Sequence, residues 1–405
     1  MNVINTTRLR LRALAFAVAA AALLPAAMVN AQTISTVAGN GSSGAAGDGA
    51  AATAASIGGP EDIAHIPAGG YYISARAQVR KVDSAGLISS IAGNGTAGFS
   101  GDGGPATLAL LGSQVTSVNV SPDGSLLLTD VNNLRVRKIS AAGIITTIAG
   151  NGSSGPIDGG AATASGLNTP TDAISDAAGN IFIAEFRGCR VRKVTPAGVI
   201  STVVGTGTCT SGGDGGPATV ATLRNPWGLA FNASGELFVS EYNGDRIRKI
   251  DASGVITTVN GSVGLGGPLH IDFDSAGNLY AAGYNVSRVS RVTPAGVQSV
   301  IAGTTGGFSG DGGPATAAQL QNPRAATVAV GHLLIADTDN NRVRKVVADV
   351  APLLTAALTC AESGFTGAKL TLCRRVCEVV NPPATQTSLI RFYTAIYREA
   401  PPCAN

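Results

Sequence analysis

Apolar runs of four to six residues recur along this chain, each cut by a cluster of Gly, Asn, Asp or Ser. Residues 228–259 show the pattern clearly. Gly228-Leu229-Ala230-Phe231 ends at Asn232-Ala233-Ser234-Gly235. Leu237–Ser240 is nearly all apolar, which predicts a strand buried on both faces. Tyr242-Asn243-Gly244-Asp245 is a turn. Arg246–Ile250 alternates apolar with basic residues, which predicts a strand with one wet face. Asp251–Gly254 turns the chain again, and the Thr-rich Val255–Val259 suits an outer edge. The unit therefore reads as four short strands joined by tight turns.

The unit recurs six times. Its basic marker stands at Lys81, Lys138, Lys193, Lys249, Arg291 and Lys345, at spacings of 57, 55, 56, 42 and 54 residues. One four-stranded sheet cannot bury both its faces, but sheets arranged around an axis cover each other. Small residues on the first strands (Ala64, Ala173, Ala230, Ala329) suit crowding near such an axis. A straight β-solenoid is the competing architecture, but units of this length with short turns suit blades better. The fold expected is an all-β six-bladed propeller over residues 32–349. The sixth unit stops after its third strand, at Asp349-Val350-Ala351-Pro352. The missing strand stands at the other end, as Thr33-Ile34-Ser35-Thr36-Val37-Ala38. Residues 33–38 are therefore expected beside 342–347, closing the ring.

The flanks read differently. Arg8, Arg10 and Arg12 precede an apolar run from Ala13 to Leu24, and Val29-Asn30-Ala31 supplies small residues for cleavage. Residues 1–31 read as a signal peptide, too short in their apolar part to span a bilayer. The product is then periplasmic or secreted, with no membrane span. Without those three Arg the chain carries 25 residues of each charge, so no cationic surface for nucleic acid is expected. Residues 350–405 read as a four-Cys helical tail, with helices over 353–361, 368–380 and 386–399.

The markers Asp337-Thr338-Asp339-Asn340-Asn341-Arg342-Val343-Arg344-Lys345-Val346 and Asp130-Val131-Asn132-Asn133-Leu134-Arg135-Val136-Arg137-Lys138 carry a family resemblance. So does the loop Gly101–Thr107, repeated at Gly213–Thr219 and Gly310–Thr316, with weaker copies at Gly47–Thr53 and Asp158–Thr163. These units resemble NHL repeats, in the long-loop form of secreted bacterial proteins and of teneurins. The resemblance spans roughly residues 33–347. It implies a six-bladed propeller that serves as a binding platform, in a family that also holds lyase-type relatives.

Candidate chemistry is sparse. The Gly-rich loops offer one Asp each, too few for calcium, and read as turns whose Asp caps nearby N–H groups. The acid closing each second strand (Asp130, Glu185, Glu241, Asp337) is expected to bond the Arg five residues on (Arg135, Arg190, Arg246, Arg342). His65, His270 and His332 are expected not to converge, so no metal and no cofactor are assigned. The fifth unit is shorter at Gly261–Pro268, which predicts a notch in the loop-bearing face. Trp227, Tyr242 and His270 lie at or near it. Asp62 and Asp172 hold the position of His270 in their own units. These five are the candidate ligand-binding residues, with Trp227 read either as an anchor or as packing that plugs the channel.

Six Cys in an exported chain suggest disulfides. Cys189 and Cys209 are paired on one face of one blade. Cys360, Cys373, Cys377 and Cys403 staple the tail. The function expected is a non-catalytic, monomeric binding module for a protein, peptide or glycan, using the loop-rich face. The alternative is a hydrolase or lyase acting at the channel mouth.

Overall fold

The structure, a computed structural model, describes residues 32–348. The expected signal peptide over 1–31, the expected helical tail over 350–405 and the four cysteines of that segment lie outside these residues.

Six four-stranded antiparallel sheets follow one another. Blades 1 to 5 are continuous in sequence, with inner strands at Pro60–His65, Val115–Val120, Pro170–Ser175, Pro226–Phe231 and Pro268–Phe273. Blade 6 takes its inner three strands from Ala325–Ala329, His332–Asp337 and Arg342–Ala348. Its outer strand is Gln32–Ala38, antiparallel to the third strand from Gln32 opposite Ala348 to Ala38 opposite Val343. This is the closure expected from the missing strand. Ile34 is 1% exposed and packs with Ile335 and Val346.

Six apolar clusters hold the ring, one at each junction between neighbouring blades. At the closing junction, Ile63 and Ile73 of blade 1 meet Leu334 and Val343 of blade 6. The physical basis is the one the repeat demanded: each sheet's exposed face is the next sheet's core.

The third strands differ from expectation. Alternation predicted that their basic residues face water, yet Arg80, Arg137, Arg192, Arg248 and Arg344 are each at most 1% exposed. Each meets the Asp of the Gly-rich loop that precedes its blade: Asp48, Asp102, Asp158, Asp214 and Asp311 respectively. In blades 2, 3, 4 and 6 the same guanidinium also faces the acid closing the second strand, at 3.5, 3.7, 3.0 and 3.3 Å. The acids thus pair with the Arg seven residues on, not five. The Arg five residues on lies directly opposite the acid in the ladder but turns to backbone carbonyls, as Arg135 does to Asn133 O and Asn151 O. Burial pushes Asp337 up to about 6 despite these partners, a measure of how costly the site is to desolvate.

Blade 5 omits every part of this arrangement. Gly283 replaces the acid, Ser290 replaces the Arg, and the shortened connection has no Asp. Electrostatics requires that the buried Arg and the buried acid not stand without an opposite charge, and blade 5 meets this by losing both.

The loops also differ from expectation. Their Asp does not simply cap local N–H groups. The Gly-Asp-Gly segments descend along the outer edge of the following blade, where Gly103 N donates to Ile145 O and Ala106 N to Gly143 O. Matching bridges join Ala51 to Leu87, Ala161 to Val199, Pro217 to Val255 and Pro314 to Thr33. The loops thereby cover outer strands that would otherwise be free edges. Among the described residues blade 5 has no such bridge. Its short connection therefore leaves the outer strand of blade 5 without the cover that the other blades have.

Cys189 and Cys209 form the disulfide read from the sequence, with Cα atoms 5.2 Å apart. It ties the turn of blade 3 to the loop entering blade 4. Replacing both with serine is expected to cost roughly 3 kcal/mol for a closed loop of 20 residues. Urea melts of the oxidised protein and the variant test this; equal midpoints would show that other contacts already fix the loop.

Candidate functional site

The first residues of the inner strands ring one mouth of the channel. The registers align Glu61, Thr116, Thr171, Trp227, Leu269 and Arg324 as an outer ring. The same registers place Asp62, Ser117, Asp172, Gly228, His270 and Ala325 one step deeper. A ladder irregularity at this step turns backbone N–H groups out of the sheet. Two are recovered by the aspartates: Asp62 Oδ2 accepts from Val118 N of the next blade, and Asp172 Oδ2 from Leu229 N. Gly228 leaves room for blade 5, since a Cβ there would stand 2.5 Å from Leu269 O.

His270 crosses the channel. Its Nε2 lies 2.9 Å from Thr116 O on the opposite blade and 3.4 Å from Trp227 Nε1. Two such neighbours cannot both be hydrogen bonds, and the shorter one decides: Nε2 carries a proton and donates to Thr116 O. Nδ1 then faces Asp62 Oδ1 and Asp172 Oδ2, each 3.8 Å away. All three side chains are buried. Burial alone would lower the imidazole, but the two carboxylates outweigh it and hold it up at about 9. Burial raises Asp62 to about 7 against the opposing pull of His270. Asp272, one turn of the pleat further, is raised to about 6 by burial.

A cavity of about 270 Å³ follows along the channel, lined among others by Asn119, Asp272 and His65. His65 stands three residues beyond the step of His270 on its own strand, about 10 Å away at the strand rise. His332 lies at the start of a second strand. The three histidines do not converge. The group that does converge is mixed: Asp62, Asp172 and His270 can each offer one ligand atom within 4.8 Å of the others.

On the solvent side of His270 lies an aromatic rim. Trp227 meets Phe186 edge-on at 5.5 Å and Tyr242 at 6.4 Å. Tyr242 meets Tyr284 at 6.2 Å. Arg324 stands over the rings of Trp227 and Tyr284 at 5.8 and 5.2 Å. Its Nη1 donates to Glu61 Oε2 at 2.6 Å, and Gln114 Nε2 donates to Glu61 Oε1 at 3.0 Å. Tyr242 seats against Gly267, where a Cβ would come within 2.9 Å of its ring.

Residues 207–272, from the loop entering blade 4 to the inner strand of blade 5, match the family model described as the teneurin NHL domain. The chain is an NHL-repeat β-propeller. Solved structures agree with the fold. An auxiliary nutrient binding protein from Bacteroides thetaiotaomicron superposes with a TM-score of 0.56 at 15% identity, over 78% of this chain and 76% of that one. One from Bacteroides ovatus gives 0.54 at 14%, over 78% and 77%. A gluconolactonase from Xanthomonas campestris gives 0.50 at 16%, over 73% and 87%. Identities this low establish the architecture only. No curated protein sequence matches the chain.

In this NHL propeller, Trp227, Tyr242, His270, Asp62 and Asp172 gather at one mouth, with His270 between the rim and the cavity. Phe186, Tyr284, Arg324 and Glu61 belong to the same mouth and were not singled out from sequence. A signal was present for two of them. Phe186, Tyr242 and Tyr284 occupy the same turn position in three consecutive units, directly after the closing residue of the second strand.

Proposed function

We propose that the protein is an exported, monomeric binding module whose mouth takes a glycan. The observation that carries this reading is the half-buried rim of Phe186, Trp227, Tyr242 and Tyr284, bordered by the Arg324–Glu61 pair. Aromatic faces stack on the apolar face of a sugar ring, while charged and amide groups at the border bond its hydroxyls. The Gly-rich loops have another task along the blade edges, so the binding face is made of turns and strand starts. Export fits the Cys189–Cys209 disulfide, which persists in oxidising compartments.

The chain has one tryptophan, so intrinsic fluorescence reports directly on the rim. Oligosaccharides are expected to change its emission saturably, and Tyr242→Ala to weaken binding at least ~10-fold with little change in Tm, as for an anchor residue. Trp227→Ala, followed by calorimetry, is expected to do the same. A lower Tm with unchanged affinity would assign Trp227 to packing and overturn the reading. Saturable binding of peptides alone would redirect it to a peptide ligand. The alternative, a hydrolase or lyase using His270, Asp62 and Asp172, is separated by following product formation in the same mixtures.

A further inference from the structure

We propose that Asp62, Asp172 and His270 bind one divalent transition-metal ion, Zn²⁺ or Mn²⁺, at the axis of the propeller. Three observations converge on this site. The first is the orientation of the ring, whose Nδ1 gives up its proton when an ion binds. His270 Nε2 donates to Thr116 O at 2.9 Å, which leaves Nδ1 as the atom aimed at the carboxylates. A ligating imidazole characteristically donates its second N–H to a carbonyl, which fixes the ring and raises its basicity.

The second is spacing. Nδ1 has no hydrogen-bond partner, although its side chain is only 8% exposed, and both carboxylate oxygens stand 3.8 Å away. A proton shared with a carboxylate would draw the atoms to about 2.8 Å. A point equidistant from three atoms at these separations lies roughly 2.2–2.5 Å from each, close to the bond lengths of a coordinated cation.

The third is support of the ligands. Asp62 Oδ1 accepts from Ile63 N, and Asp62 Oδ2 from Val118 N. Asp172 Oδ1 accepts from Ala173 N and from Asn119 Nδ2, and Asp172 Oδ2 from Leu229 N. These bonds hold the carboxylates in place while leaving the two oxygens that face Nδ1, Asp62 Oδ1 and Asp172 Oδ2, a further lone pair each. The donor set mixes one imidazole nitrogen with carboxylate oxygens, which favours Zn²⁺ or Mn²⁺ over the all-oxygen cages of Ca²⁺ and Mg²⁺. The three ligands come from blades 1, 3 and 5, so an ion here joins alternate blades across the channel.

The test uses the exported full-length chain, stripped with chelator and titrated separately with Zn²⁺ and Mn²⁺. Calorimetry and elemental analysis are expected to find one ion per chain, with a rise in Tm on binding. Asp62→Asn with Asp172→Asn is expected to weaken binding at least ~100-fold, since removing two ligands costs no less than the ~10–100-fold that loss of an outer-shell partner does. Bound Mn²⁺ is expected to lose its free-ion paramagnetic resonance signal in the wild type only. Absence of a stoichiometric site in the stripped wild type overturns the proposal, as does undiminished affinity in the folded double variant. Should that variant not fold, the His270→Gln variant is read the same way, and the wild-type stoichiometry decides on its own.

Discussion

Replacing Arg248 with methionine lowers the stability of the propeller by about 3–5 kcal/mol. The guanidinium is 1% exposed and lies between Asp214, at 2.5 Å, and Glu241, at 3.0 Å. It also donates to Gly212 O and Thr222 O, which fasten the loop entering blade 4. Methionine fills the volume but leaves Glu241, itself fully buried, as a carboxylate without a cation. That residual charge is the main cost, larger than the lost attraction. The double variant Arg248→Met with Glu241→Met removes the stranded charge. It is expected to be more stable than the sum of the single losses, so the cycle shows strong coupling. Blade 5 shows that a blade folds without the set, and blade 1, with Ala75 in the acid's place, keeps Arg80 paired to Asp48 alone. Urea unfolding measures each corner of the cycle. A single variant within about 1 kcal/mol of wild type, the ordinary scale of an exposed ion pair, would show that water reaches the site.

Removing residues 32–38 opens the ring. Blade 6 is left with three strands, and Arg342–Ala348 becomes a bare edge. The cavity left by Ile34 alone costs about 2–3 kcal/mol by burial, and the ladder hydrogen bonds and the Thr36–Asp311 contact go with it. Total stability of a domain is about 5–15 kcal/mol, so this is a large fraction. The truncated chain is expected to melt well below the wild type and to associate with rising concentration, because an unpaired edge recruits other strands. A synthetic peptide of residues 32–38 is expected to restore the melt by filling the gap. Size-exclusion chromatography and calorimetry report both effects. An unshifted Tm in the truncated chain would show that the six junctions hold without the closing strand.

The blades, their order and the closing strand were legible because their information is local. Turn clusters such as Asp251–Gly254 and apolar runs such as Leu237–Ser240 recur in each unit, and a missing part at one end matched a spare part at the other. The Cys189–Cys209 pair followed from the same alignment. The buried Arg row was not legible. Arg246-Ile247-Arg248-Lys249-Ile250 reads as a half-wet strand, and the carboxylate that changes this, Asp214, stands 34 residues earlier in a loop that resembles a free turn. The course of the loops was misread for the same reason. Glycines announce a turn, but not that the turn will fold down along the next blade.

At the mouth, the five candidates were found by position in the repeat, while their chemistry was not. Equivalence of Asp62, Asp172 and His270 could be counted along the chain. The bond from His270 to Thr116 could not, because those residues belong to opposite blades 154 positions apart. Periodicity alone determined the six sheets, since strands and turns are dictated by neighbours within a few residues. Only the closed ring decided which charges are stripped of water and which side chains meet across the axis, because burial and distance belong to the assembled circle and not to any one repeat.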